Sequence, residues 1–175
     1  MLVLVVGPSG AGKDTVLGLA QSALAGDSGF RFVRRVITRA ADAGNENHEA
    51  VSEADFANRA FALRWQAHGL HYGIPLDITG DLARGVVVVA NVSRKAIGEA
   101  AGKFPVRVVQ ITASPEILAQ RLVARGRESA DDILNRLSRD AAIPDHVSVE
   151  TVMNDTTPAR AADRFLATIR RFTVL

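Results

Sequence analysis

The chain has no cysteine, so disulfides and thiolate metal sites are excluded from any account of its stability or chemistry. It also lacks an apolar run approaching the ~18 residues that a membrane-spanning helix needs. Charge of one sign is scarce: 21 Lys and Arg against 19 Asp and Glu leave a formal +2, too little to argue for nucleic acid. No internal repeat, low-complexity stretch or linker divides the 175 residues, and 47% hydrophobic with 23% charged content is ordinary for a soluble globular chain. The expectation is one domain over 1–175, cytoplasmic, with no membrane or nucleic-acid partner and its oligomeric state open. The apolar start at 2–6 runs straight into glycine without a basic flank, so it reads as a strand and not as a signal peptide.

What is present is a phosphate loop. Gly7-Pro8-Ser9-Gly10-Ala11-Gly12-Lys13-Asp14-Thr15 fits the phosphate-cradling pattern at every position but one. The run Leu2 to Val6 reads as a buried parallel strand feeding the turn. The glycines free the backbone to point successive N–H groups at phosphate oxygens. Thr15 onward continues as a helix whose positive end faces the same anion, and Lys13 reaches the β and γ phosphates. The expected ligand is ATP.

Asp14 stands where a hydroxyl normally ligates Mg²⁺. A carboxylate is a hard, charged oxygen ligand, and it would repel bare triphosphate, so the substitution fits best with a divalent ion between the two. The competing reading is a helix cap, since an acidic residue is favourable at a helix start.

Apolar strand-like runs recur at 2–6, 32–37, 86–90 and 106–111, with a weaker one at 147–153. Helical segments at 14–25, 93–101, 115–125, 129–142 and 158–171 separate most of them. That alternation predicts an α/β fold, a parallel sheet flanked by helices in three layers. Ser114 before Pro115, Thr157 before Pro158, and Ser52 and Ser129, each with an aspartate three residues on, mark helix starts. Residues 38–80, with a polar loop, a short helix at 53–60 and strand-like pieces at 61–66 and 70–74, suit a substrate-binding excursion from a core of 1–37, 81–124 and 143–175. Residues 125–142 suit an arginine-rich lid that closes over the substrates and excludes water.

Arginines gather at 34, 35 and 39, at 121, 125 and 127, and at 136 and 139, a distribution suited to polyphosphate. The phosphate loop, Ile37-Thr38-Arg39, Leu70-His71-Tyr72-Gly73, Arg121-Leu122 with Arg125-Gly126, and Arg136 together resemble the guanylate kinase superfamily, a P-loop nucleoside monophosphate kinase-like fold. The resemblance implies phosphate clamps at Arg39, Arg125 and Arg136, with Arg121 one helical turn before Arg125 on the nucleotide side. Departures matter as much. Alignment on Tyr72-Gly73 puts Leu63 where a guanylate kinase carries the glutamate that reads guanine, Arg35 at its base-contacting serine, Asp42 at a second phosphate arginine, and Asn91 at an acidic residue near the metal. A site that lost base readers and kept phosphate clamps should take a phosphorylated molecule without guanine.

Gly12-Lys13-Asp14, Glu46-Asn47-His48-Glu49-Ala50-Val51-Ser52, Trp65-Gln66-Ala67-His68-Gly69-Leu70, Asn91 with Ser93-Arg94, and Arg125-Gly126-Arg127-Glu128 resemble more narrowly the ribose 1,5-bisphosphate phosphokinase family of phosphonate metabolism. The resemblance implies ATP-dependent, Mg²⁺-requiring conversion of ribose 1,5-bisphosphate to 5-phosphoribosyl 1-diphosphate and ADP. Arg35 and Arg39 are expected to hold one acceptor phosphate and Arg94 the other, beside Tyr72; Glu46 or Glu49 would accept from ribose hydroxyls and His48 donate to phosphate. The acceptor oxygen is already ionised, so catalysis reduces to alignment and charge neutralisation by Lys13, Mg²⁺ and the lid arginines Arg125 and Arg136. The alternatives are guanylate kinase or another nucleoside monophosphate kinase, which Leu63 and Arg35 oppose, and a non-catalytic guanylate-kinase-like binding module, which intact Lys13 opposes. Trp65 reads as core or substrate wall, His68 and His71 as turn residues around Gly69, and Asn154-Asp155 as either an adenine contact or an ordinary turn.

Overall fold

The structure is a computed structural model, and it describes residues 1–40, 47–124 and 143–173. Nine strands alternate with helices: β1 Leu2–Val6, α1 Lys13–Ala23, β2 Phe30–Phe32, β3 Val36–Ile37, β4 Glu49–Ala50, α2 Glu53–Ala57, β5 Phe61–Ala67, β6 Leu70–Pro75, α3 Ile78–Ala83, β7 Val87–Asn91, α4 Ile97–Lys103, β8 Val106–Thr112, α5 Pro115–Val123, β9 Val149–Met153 and α6 Pro158–Arg170. Five strands form a parallel sheet in the order β2-β7-β1-β8-β9. β1 lies at its centre, and all five of its residues are buried, as a strand covered on both faces must be.

Alternation along β1 divides the interior in two. Val3 and Val5 face a layer built from Val16 and Ala20 of α1, Leu118 of α5, and Ala161, Phe165 and Ile169 of α6. Leu2, Leu4 and Val6 face Ile97 and Ala100 of α4, Ile78 of α3, and the inner side of a second sheet through Ile37, Leu63, Trp65, Tyr72 and Ile74. Full burial of side chains such as Phe165 and Leu4 contributes roughly 1.5–3 kcal/mol each.

The second sheet, β4-β3-β6-β5, joins β3 parallel to β4 and antiparallel to β6, with β5 and β6 as a hairpin. The hairpin turns at His68 (φ 52°) and Gly69 (φ 72°), the paired positive φ that matches strand twist. The cap serines and threonine act as expected: Ser52 accepts from the Asp55 N–H, Ser114 from Ile117 and Thr157 from Arg160.

Two elements differ from the sequence reading. The apolar run 32–37 is not one strand: its first residue ends β2 in the main sheet, and its last two form β3 in the second. Continuous hydrophobicity marks burial without saying in which sheet, and the chain changes sheets at Arg34-Arg35. α3 was not anticipated, because it is short, contains Gly80 and has no side-chain cap at Asp77. It is tied to β2 from outside, where Arg31 pairs with Asp81 and, at 2.8 Å, with Asp77. The expected lid at 125–142 and the helix start at Ser129 lie outside the described residues.

Candidate active site

β1 ends at Val6 and the chain turns through Gly7, where a side chain is sterically impossible: at φ 153° a Cβ would stand 1.9 Å from the Ile111 carbonyl oxygen of β8. The loop closes with the Ala11 N–H donating to the Pro8 carbonyl. Gly12, at φ 79° and ψ 24°, ends the loop as the residue preceding α1. Its bare α-carbon lets Asn154 approach, since a Cβ there would lie 2.7 Å from Asn154 Nδ2. The opening N–H groups of α1, which follows the loop directly, have no intrahelical partner, and such a helix start receives an anion.

Lys13 Nζ donates to the Gly7 carbonyl at 2.7 Å and to the Pro8 carbonyl at 3.0 Å, so its ammonium is held across the loop mouth. Asp14, on the first turn, accepts a hydrogen bond from Asn91 Nδ2 at 3.1 Å. Asn91 ends β7, the strand beside β1, which sets this carboxylate and amide together at the carboxyl edge of the sheet. A cavity of about 250 Å³ opens there, lined by Asp14, Gln21, Arg35, Asn47 and Asn91. Arg94 follows on the same side, donating to Gln110 Oε1 at 3.4 Å. Gln110 is in register with Val6, immediately before the loop.

On the other flank, a cavity of about 330 Å³ is lined by Gly10, Gly12, Thr15, Arg121, Asn154 and Pro158. Arg121 Nη2 donates to the Asn154 carbonyl at 2.8 Å. Asn154 is 1% exposed, and its Nδ2 donates to the Ala11 carbonyl at 2.9 Å while its buried Oδ1 has no hydrogen-bond partner among the described residues. Asp155 accepts from the Ser114 N–H at 2.7 Å, pinning the start of α5. Asn154 thus lines the cavity beside the phosphate loop, a placement that the sequence left undecided. The only local signal was its place between β9 and the Thr157-Pro158 helix start.

The second sheet sorts the remaining candidates by face. Ala50, Ile37, Tyr72 and Trp65 are register partners and share the inner face. Tyr72 and Trp65 stack with ring centroids 5.4 Å apart and an 8° interplanar angle, and the Arg35 guanidinium lies 5.4 Å from the Tyr72 centroid. Glu49, Val36 and Gly73 are register partners on the opposite face, where the Phe61 ring covers Gly73. Glu49 pairs there with Arg59, so the structure does not bring it to the inner face with Tyr72. His48 turns its ring to Arg39: Nδ1 is 3.3 Å from Arg39 Nη2, and Nε2 is 3.1 Å from the Arg39 carbonyl. Glu46, Arg125 and Arg136 lie outside the described residues.

Among the described residues, no group of three or more His, Asp or Glu side chains could cage a metal. Mg²⁺ keeps most of its waters and takes phosphate oxygens with one or two protein oxygens. The donor set Asp14 and Asn91, hard oxygens beside the phosphate loop, fits such an ion.

No protein-family model matches the chain. Individual relatives do: it is 53% identical over 170 residues to a ribose 1,5-bisphosphate phosphokinase PhnN of Acidiphilium cryptum (strain JF-5), covering 97% of this chain and 92% of that protein. The identity is 51% over 159 residues to a protein of the same name from Agrobacterium fabrum, covering 87% of each. The chain belongs to the ribose 1,5-bisphosphate phosphokinase family. Among solved structures, a guanylate kinase from Anaplasma phagocytophilum superposes with a TM-score of 0.69 at 17% identity, over 100% of this chain and 86% of that one. This ribose 1,5-bisphosphate phosphokinase family member therefore has a guanylate-kinase-like fold. No helix among its described residues is long and apolar enough to cross a membrane.

Proposed function

We propose that the protein transfers the γ-phosphoryl group of ATP to ribose 1,5-bisphosphate, giving 5-phosphoribosyl 1-diphosphate and ADP. The observation that carries this reading is the pairing of an intact phosphate loop with an inner sheet face that offers a base no polar reader: Leu63 and Ile74 are 0% exposed and Trp65 packs against Tyr72. A nucleobase set on that face would leave its N–H and carbonyl groups unpaired at roughly 1–3 kcal/mol each. A phosphosugar needs no base reader and would be held instead by charge at the rim of that face, where the Arg35 guanidinium lies beside Tyr72.

The acceptor atom is a phosphate oxygen that is ionised at neutral pH, so no side chain has to remove a proton. Lys13 leaves the Gly7 and Pro8 carbonyls for the β and γ phosphates and neutralises charge as the phosphoryl group moves. Asp14, steadied by Asn91, would hold the divalent ion directly or through water, and that ion supplies charge neutralisation to the triphosphate. Arg35 and Arg39 would clamp one acceptor phosphate and Arg94 the other, with Tyr72 beneath; Arg121 and Asn154 line the nucleotide side. Arg125 and Arg136, from a lid over 125–142, would complete the clamp, and Glu46 would meet the ribose hydroxyls. Both substrates are intracellular metabolites, which places the work in the cytoplasm.

The test is turnover with ATP and Mg²⁺ against ribose 1,5-bisphosphate, GMP, other nucleoside monophosphates and ribose 5-phosphate. Ribose 1,5-bisphosphate should be the preferred acceptor by kcat/KM. Faster turnover of GMP would sink the proposal.

A further inference from the structure

His48 is 3% exposed, and its ring is engaged on both nitrogens by one residue. An arginine N–H can only donate, so Nδ1 must accept from Arg39 Nη2; a carbonyl can only accept, so Nε2 must carry the hydrogen that meets the Arg39 carbonyl. A single form, the neutral Nε2–H tautomer, satisfies both bonds. The ring is itself fixed. Arg34 Nη2 donates to the His48 carbonyl at 2.8 Å, and the next N–H, of Glu49, donates to the Arg35 carbonyl at 2.8 Å. The segment entering β4 is thereby pinned to the segment entering β3, and Arg39 stands two residues beyond the end of β3.

We propose that His48 is a positioning residue that holds the Arg39 guanidinium in its phosphate-receiving orientation before the acceptor arrives. The inference rests on Arg39 being an acceptor clamp. An arginine side chain gives up rotamer freedom when it is immobilised, so a guanidinium already anchored by a neighbouring ring loses less of it on binding. The role contradicts a direct His48–phosphate contact, because both ring nitrogens are already used within the protein.

The experiment is a double-mutant cycle on KM and kcat for ribose 1,5-bisphosphate, with KM for ATP as the control for intact folding. His48→Ala should raise the acceptor KM on the order of 5- to 30-fold, with kcat and the ATP KM changed little. His48→Gln, whose amide can both accept and donate, should recover most of the loss, whereas His48→Met, of similar bulk, should not. If His48→Ala unfolds, the Gln and Met variants carry the comparison. In the Arg39→Ala background, His48→Ala should add nothing. Additive losses in the cycle would mean that His48 touches the substrate itself, and a normal acceptor KM in His48→Met would mean that it positions nothing. Either result overturns the inference. An Arg39→Ala protein with unchanged acceptor KM would instead overturn the clamp role of Arg39.

Discussion

Replacing Asn154 by aspartate exchanges one amide nitrogen for an oxygen and should be among the most damaging conservative changes in the chain. Asn154 Nδ2 donates to the Ala11 carbonyl at 2.9 Å, inside the phosphate loop, and both residues are buried. An ionised carboxylate at that position would face the carbonyl oxygen with no donor, and its second oxygen would take the place of an Oδ1 that already has no hydrogen-bond partner among the described residues. The chain can escape by protonating the aspartic acid, whose hydroxyl then donates to Ala11. Holding a carboxyl of ordinary pKa about 3.9 protonated at pH 7 costs ~1.36 kcal/mol for each of ~3 units, so the loss is capped near 4 kcal/mol. For a chain of this length that lowers Tm by roughly 8–16 °C.

The pH dependence identifies the cause. The folded-state pKa of the new carboxyl is raised, so the folded protein binds the proton more readily than the unfolded one. Relative to wild type, stability is therefore recovered as pH falls below the folded pKa and is lost as pH rises. Asn154→Ala lacks the titrating group; it gives up one hydrogen bond and one unpaired buried oxygen together, for a loss of ~1–2 kcal/mol that does not vary with pH. Thermal unfolding of the three proteins between roughly pH 4.5 and pH 8 measures both effects. Asn154→Asp as stable as wild type at pH 7, or Asn154→Ala less stable there than Asn154→Asp, would mean that the bond from Nδ2 to Ala11 does not hold the loop.

Lys13→Ala should reduce kcat by on the order of 10²-fold or more while costing only ~1–2 kcal/mol of stability from its two carbonyl bonds, as steady-state rates and thermal melts will read. Asp14→Ser should weaken Mg²⁺-dependent ATP binding and leave metal-free ATP binding equal or stronger, measured by titration calorimetry with and without Mg²⁺; unchanged Mg²⁺ dependence would return Asp14 to a helix cap. The Asp81 carboxyl is held below the usual carboxylate range, chiefly by its hydrogen bond from Arg31. Its contribution to stability is therefore full above the unfolded pKa and disappears as pH falls through the lower folded one, and Arg31→Ala should flatten that acid limb of the stability profile.

Legibility from sequence tracked the range of the forces involved. β1 was readable because all five residues are apolar, and α6 because Ala161, Phe165, Leu166 and Ile169 repeat at helical spacing. β3 and β4 were not, since two-residue strands carry no period and owe their existence to partners in β6 and in each other. The phosphate loop announced itself by spacing alone. Asn154 did not, because its function lies in a bond to a carbonyl 143 positions away. The motif offers Glu46 or Glu49 to the ribose hydroxyls, and register puts Glu49 on the face with Val36 and Gly73, paired with Arg59. His48 is expected from its motif to donate to phosphate, and the structure sets its ring nitrogens 3.3 Å from Arg39 Nη2 and 3.1 Å from the Arg39 carbonyl, contacts that no sequence spacing announces.

On the proposed reading of the acceptor site, specificity and folding fall to the same side chains. Leu63, Trp65, Tyr72 and Ile74 turn from the second sheet onto Leu2, Leu4 and Val6 of the main sheet, in one buried cluster. A guanine reader placed at Leu63 would set a carboxylate in that apolar cluster at a position that is 0% exposed. The penalty is several kcal/mol, a large share of what holds a domain together. The apolar face that turns a base away therefore also joins the two sheets, and the chain cannot drift back toward a base-reading acceptor site by single substitutions there without loosening the joint that sets Arg35 and Tyr72 opposite the phosphate loop. Variation in acceptor preference is open instead to residues at the rim of the cleft, where Arg35, Asn47 and Asn91 meet solvent and no core depends on them.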